Sequence, residues 1–353
     1  MHKLYRLQQL AALCGQHFGA PLAPPATDFP ADSHILLTLA RRHRVQGLCW
    51  EAVRRLDLQV SEPVAAALAA DRQLIAAQAL RAIAASRDLT NAFAAESLPL
   101  LFLKGLTIGC IAYGDPFLKM ASDLDILVRR SDLTAASQIL AEIGYTPFIP
   151  ATREEVASWH QTAKESVWIR QGGPAIELHT RLIDNHELLG KLDPFAVSPN
   201  LIEVSPGIRL PSLPPAELYA YLTVHGASSA WFRLKWLSDL AGLLAGKSSY
   251  EVEALHLRAV ELGAGRASAW ALLLCETLFG LDAACSQRLS LRDDPINRWL
   301  LRIGLAELLD EIEPTEQFFG TARIHLAQLL LKPGVGFAAR EFRRQLRTAS
   351  LAR

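Results

Sequence analysis

The spacing of apolar positions divides the chain into three stretches. Between Glu62 and Glu96 Ala, Leu and Ile recur at helical intervals, interrupted by Asp71, Arg72, Arg81 and Arg87, which predicts a long helix. An earlier helical run, His34–Leu56, follows a loop marked by Pro21, Pro24, Pro25 and Pro30. The pattern shortens at Leu98. LPLLFLKG reads as a buried strand feeding a turn, Leu106–Tyr113 as two helical turns, GDPFLKMAS as a loop and SDLDILV as a second strand. Ser131 is expected to cap a helix that runs to Ile143 and ends at Gly144. YTPFI, ESVWIRQ and AIELHT read as three further strands, with ATREEVASWHQTAK helical between the first two and Gly172-Gly173-Pro174 as a hairpin turn.

From Asp184 to Pro215 the chain is rich in Pro and polar residues, with one short strand at LIEVS. Helical periodicity then returns in Glu217–Ala227, Arg233–Leu244, Tyr250–Leu262, Arg266–Phe279 and Pro295–Glu311. The expectation is an α+β chain in three parts: an N-terminal helical segment (1–96), a small mixed-sheet core (97–210) and a C-terminal helical domain (211–353).

Composition narrows the classes. The 353 residues carry 36 basic and 36 acidic side chains, so net charge gives no general pull towards nucleic acid or an anionic membrane. No sustained aromatic-basic interleaving favours RNA or DNA. Neither a nucleic acid nor a membrane is therefore an expected partner. Five scattered cysteines without a CxxC pair fit a reducing compartment better than a disulfide framework or a zinc site. The N-terminal run is too broken for a signal peptide, and no stretch reaches about 18 uninterrupted apolar residues, so a cytoplasmic protein is expected. The tail from Lys332 is basic and fits a solvated helical face.

Asp123-Leu124-Asp125 is the sharpest chemical feature. On a strand both carboxylates share one face while Leu124 takes the other. Like charges held that close repel unless a cation neutralises them, and a hard divalent ion such as Mg²⁺, or Mn²⁺, suits such a platform. Glu177 in AIELHT shares its strand face with His179, and an adjacent strand would make it the third carboxylate of a metal site. Lys104-Gly105 sets a cation and a flexible turn where a phosphate can lie, and Lys119 stands four residues before Asp123. His160, His179 and His186 lack the spacing of a zinc site. Bland alternatives stand beside these readings: Lys104 as a solvated strand end, Glu177 paired with Arg181 or Lys164, His225 as a core histidine, and Trp231 and Trp236 as core anchors.

The stretch from Leu101 to Tyr145 resembles the uncharacterised bacterial nucleotidyltransferase family, a branch of the polymerase-β-like nucleotidyltransferases. The shared features are the Lys-Gly strand end, the Tyr-x-Asp-Pro loop, a basic residue four before the first acid, Asp-x-Asp followed by a hydrophobic residue and Leu-Val, and a Gly-Tyr closing the next helix. AIELHTRL resembles the family's acid-Leu-His strand, and HGASSAWFRLKWLSDLAGLL its helical signature. The resemblance implies a nucleotidyltransferase core with Asp123, Asp125 and Glu177 as catalytic metal ligands. It also implies Lys104, Gly105, Lys119 and Ser122 around the phosphates, and His225, Arg233 and Lys235 closing over the nucleotide from the helical domain. The implied reaction is Mg²⁺-dependent transfer of a nucleoside monophosphate from an NTP, such as ATP, to a hydroxyl or phosphate of an unknown acceptor: a small molecule, a peptide or a protein. Two rivals remain: a metal-dependent glycosyltransferase using a nucleotide-sugar, and a non-catalytic nucleotide-binding or scaffold protein.

Overall fold

The computed structural model describes residues 2–19, 33–120 and 122–351. Helices are α1 (His2–Gly15), α2 (Ser33–His43), α3 (Gln46–Arg55), α4 (Glu62–Ala95), α5 (Leu106–Tyr113), α6 (Leu133–Glu142) and α7 (Arg153–Thr162). Then come α8 (Pro215–Ser228), α9 (Leu234–Leu244), α10 (Ser249–Leu262), α11 (Ala267–Phe279), α12 (Ala284–Arg288), α13 (Pro295–Leu309), α14 (Ala322–Leu329) and α15 (Val335–Leu351). Strands are β1 (Leu101–Phe102), β2 (Asp123–Leu127), β3 (Thr146–Ile149), β4 (Glu165–Ile169), β5 (Ala175–His179), β6 (Asn200–Ser205) and β7 (Ile208–Ser212). The α+β class expected from the sequence is what the fold shows. The chain forms two compact units, 1–68 with 187–192 and 219–353, and 69–186 with 193–218. No helix among the described residues is long and apolar enough to cross a membrane.

The second unit holds a five-stranded sheet in the order β1-β2-β5-β4-β3. β2 and β5 run parallel; the other neighbouring pairs are antiparallel. Because alternate residues of a strand take opposite faces, Leu124 and Ile126 of β2, Trp168 of β4, and Ile176 and Leu178 of β5 share one face. All are buried, in one core with Ile139 and Leu140 of α6, Val156 of α7, and Leu89 and Phe93 of α4. His160 of α7 is buried as well, with Nδ1 2.8 Å from Thr180 Oγ1 and Nε2 3.0 Å from Ser166 Oγ. The polar positions 123, 125, 165, 177 and 179 are left for the other face. A separate ribbon, β6–β7, lies by β1, where the Ser212 hydroxyl donates to the Phe102 carbonyl at 2.8 Å.

Three local expectations change. The run from His34 to Leu56 is two helices, because Arg44 takes φ 57° and the Val45 N–H turns back to the Ala40 carbonyl at 2.9 Å. Ser131 does not cap a helix: its hydroxyl donates to Asp132 at 2.8 Å within a 3₁₀ turn, and α6 starts at Leu133. The Pro-rich stretch contains a second strand, β7, in which Pro211 sits opposite Leu201. The loop Pro at 21, 24, 25 and 30 lies outside the described residues.

In the other unit α11 is apolar nearly all round and lies against α1, α9, α10 and α13. The α8–α9 turn is built on one close approach. Ala230 and Trp231 adopt φ 47° and 59°, and the Trp231 N–H donates to the Gly226 carbonyl at 3.0 Å. This folds the wholly buried indole back over α8, where a Cβ at residue 226 would meet the ring at 2.1 Å. Gly226→Ala is therefore expected to cost about 3 kcal/mol, read as a lower urea midpoint at unchanged slope.

Two histidines of the same unit are buried and neutral. His43 Nδ1 accepts the Leu234 N–H at 3.2 Å, and burial, reinforced by Arg42, pushes its pKa down to about 3. His256 Nδ1 lies 2.9 Å from Ser268 Oγ, and burial lowers it to about 4. The unfolded chain takes up these protons below about pH 6.5 and the folded chain does not, so stability is full above that pH and falls below it. Each site contributes a slope of up to about 1.4 kcal/mol per pH unit until its folded pKa is reached. Urea unfolding between pH 7 and pH 4.5 should show the loss, and His256→Gln should remove that site's share of it.

Candidate active site

The parallel register of β2 and β5 pairs Asp123 with Ala175, Asp125 with Glu177 and Leu127 with His179. The antiparallel register of β4 on β5 then sets Glu165 opposite His179. Asp123, Asp125, Glu165, Glu177 and His179 therefore share the face turned away from the apolar core. Asp125 and His179 are buried, Glu177 and Glu165 partly so.

The contacts are close. His179 Nε2 lies 3.2 Å from Asp125 Oδ1 and 3.6 Å from Glu177 Oε2. On the far side of the ring, Glu165 Oε2 stands 3.3 Å from His179 Nδ1, yet off the line of a good hydrogen bond, so that nitrogen is a buried polar atom with no hydrogen-bond partner. Lys104 Nζ lies 2.7 Å from Asp125 Oδ1. Asp125, Glu177 and His179 each offer a ligand atom within 4.8 Å of the others. Of the expected metal residues, Asp125 and Glu177 are thus brought together; Asp123 lies one step along the same face, half-buried, with Ser122 Oγ 3.4 Å from its Oδ1. His179 joins them, a residue that histidine spacing alone does not flag. Lys164 pairs with Glu165, and Arg181 donates to the Thr162 carbonyl at 2.7 Å, so neither takes Glu177.

These contacts shift the protonation equilibria. Burial works against ionisation of Asp125, but Lys104 and His179 outweigh it and hold the carboxyl well below the usual range. The nearby His179 ring lowers Glu177, but burial and the charges of Asp125 and Glu165 win and raise it. Burial disfavours protonated His179, yet its hydrogen bond to Asp125 and the nearby Glu177 carboxylate leave the imidazole above its ordinary pKa. Burial opposes the charge of Glu165 too, and His179 and Lys164 reverse that.

The turn between β1 and α5 delivers Lys104. The Leu103 N–H donates to the Asp125 carbonyl at 3.0 Å, which fastens this turn to β2. Gly105 takes φ 72°, ψ −120°, a conformation open to glycine alone, and starts α5, whose first amides have no partner within the helix. Next, Asp115 accepts the Phe117 N–H at 2.7 Å and Pro116 begins a 3₁₀ turn, so the Asp-Pro loop is a cap that returns the chain to β2. Lys119 ends that turn in extended conformation.

His225, Arg233 and Lys235 belong to the helical unit and gather around one ring. The Trp236 ring lies 5.8 Å from the His225 ring, edge-on, and 5.7 Å from both the Arg233 guanidinium carbon and Lys235 Nζ. Arg233 is held by both carboxylate oxygens of Glu313. Trp231 is a core anchor, wholly buried.

The model of one protein family, described as an uncharacterised nucleotidyltransferase, matches residues 30–280. No curated protein matches the chain. The matched span takes in the β2–β5 carboxylates, the β1–α5 turn and the residues around Trp236.

Lys104 is the cation that neutralises Asp125 in this arrangement. Lys104→Met should destabilise the protein by about 3 kcal/mol, because it leaves a buried carboxylate short of a partner. Adding Asp125→Asn to that variant should recover most of the loss, read as a coupling energy from urea unfolding of the four proteins.

Proposed function

Since the chain belongs to this nucleotidyltransferase family, and so among the transferases of phosphorus-containing groups, we propose that it transfers a nucleoside monophosphate from an NTP to an acceptor hydroxyl. The observation that carries the reading is the β2–β5 register, which sets Asp125 beside Glu177 with Lys104 2.7 Å from the first. The donor set fits a divalent ion: two carboxylates and an imidazole, each with a ligand atom within 4.8 Å of the others. Asp125 and Glu177 would hold it, with Asp123 as the next oxygen donor on that face. Bound there, an ion of the Mg²⁺ class supplies charge stabilisation for phosphoryl transfer.

The remaining work falls to the chain's own groups. The acceptor oxygen forms a bond to the α-phosphorus as the bond from that phosphorus to the β-bridging oxygen breaks, and pyrophosphate departs. Glu177, the more exposed of the paired carboxylates, takes the acceptor's proton. Lys104 offers its ammonium to the triphosphate oxygens, and the first amides of α5, aimed by Gly105, supply further donors. Ser122 and Lys119 lead into β2 and border the same phosphates. No motif identifies the acceptor, so small molecules, peptides and proteins all belong in the screen.

The test is nucleotide binding and pyrophosphate release with each of the four NTPs and Mg²⁺. The wild-type protein should bind at least one NTP in a Mg²⁺-dependent way. Asp125→Asn and Glu177→Gln should each cut pyrophosphate release by at least about a hundredfold. A nucleoside diphosphate as by-product, from a nucleotide-sugar, would instead mark glycosyl transfer; saturable binding without turnover would mark a binding protein.

A further inference from the structure

We propose that His179 is itself a ligand of the divalent ion, alongside Asp125 and Glu177, and that Glu165 positions it; the site then favours Mn²⁺ over Mg²⁺. This inference rests on the metal-dependent reading above and specifies its ion.

The geometry comes first. Two ligands of one ion, each about 2.0–2.3 Å from it, stand no more than about 4.6 Å apart. The Nε2 separations of 3.2 Å from Asp125 and 3.6 Å from Glu177 fall inside that limit. The same nitrogen faces both carboxylates, which is where a shared ion would have to sit. The register makes this a property of the sheet and not of a flexible loop: His179 is two residues beyond Glu177 on β5, on the same face, and pairs with the strand residue two beyond Asp125.

The second observation is the other ring nitrogen. His179 is wholly buried, and Nδ1 has no hydrogen-bond partner, although Glu165 Oε2 stands 3.3 Å away. A histidine that binds a metal through one nitrogen commonly turns the other to a carboxylate, which fixes the ring and its tautomer. Glu165 stands where that carboxylate belongs. Lys164 and the β4 register keep it there. Glu165 is thus a positioning residue, acting through His179.

Donor chemistry sets the ion. Mg²⁺ is bound by oxygen donors and gives up water reluctantly, whereas imidazole raises affinity for divalent transition ions; of these, Mn²⁺ is the one that carboxylates also suit.

Pulsed EPR of Mn²⁺ bound to the full-length protein, with a non-hydrolysable NTP analogue, tests this in material labelled with ¹⁴N- or ¹⁵N-histidine. The expected spectrum shows a directly bound histidine nitrogen together with ³¹P couplings from the nucleotide, which places that nitrogen on the nucleotide's ion. His179→Gln should remove the nitrogen coupling. Glu165→Gln should keep it while weakening Mn²⁺ about 10- to 100-fold, and Glu165→Asp should restore part of the affinity. Mg²⁺ should displace the Mn²⁺ only in more than about tenfold excess. Mn²⁺ bound with ³¹P but no nitrogen coupling overturns this proposal and leaves the nucleotidyl reading intact; no Mn²⁺ binding, even with nucleotide, overturns both. Because the isotope comparison is made on the wild-type protein, it decides the matter even where a variant fails to fold.

Discussion

The site depends on one constraint: β2 and β5 are parallel neighbours in a register that puts the Asp125 carboxylate beside that of Glu177. Like charges on adjacent strands repel, and here one of them is buried. Such a pair persists in a folded protein only with cations at hand. Lys104 stands at Asp125, and His179 between both carboxylates. The apolar faces of the same strands hold the register in place, since a slip of β2 by one residue would turn Asp125 into the core against Ile176 and Leu178 and turn Leu124 and Ile126 out of it. Hydrophobic packing on one side of the sheet thus maintains an electrostatically unfavourable arrangement on the other.

Much of this is legible in the sequence, and the part that is not has identifiable causes. Alternation within SDLDILV and AIELHT is enough to sort acids from apolar residues and to put Glu177 and His179 on one face. The pairing of those two strands is not legible, because the register joins residues about fifty positions apart and is reached only after α6, β3, α7 and β4 have been laid down between them. The spacing of His179 from other histidines does not suit zinc, which hides it; its partners are carboxylates, and the local signal is the two-residue step from Glu177. The helix break at Arg44 leaves little trace, since neither Arg44 nor Val45 is a breaker, Gly47 falls inside α3, and the apolar period continues through Val45 and Leu48. Pro211 obscures β7 because proline is rare within strands, and it is accommodated in a ribbon of only two.

The shared sequence features divide by physical role once the fold is known. Asp115 and Pro116 are a turn device, and Gly226 with Trp231 is a packing device in which only a missing Cβ admits the indole. Gly105 is a backbone device that turns β1 into α5 beside β2. In the proposed function, chemistry is left to Lys104 and the β2–β5 face. A family pattern can therefore persist largely to hold geometry, with few of its positions touching a reacting atom.

The two kinds of element also divide the labour of precision. Carboxylates on central strands are held by ladders on both sides and by a packed core beneath, so their mutual distances are set by the sheet. Lys104, Lys119 and Ser122 come from the segments before α5 and β2, outside the strand ladders. The proposed transfer would need both: fixed donors to hold the reacting phosphorus, and cations beside them to neutralise a triphosphate. The buried His179, standing between Asp125 and Glu165, belongs with the residues of the sheet. That placement suits a metal ligand and not a mobile cation.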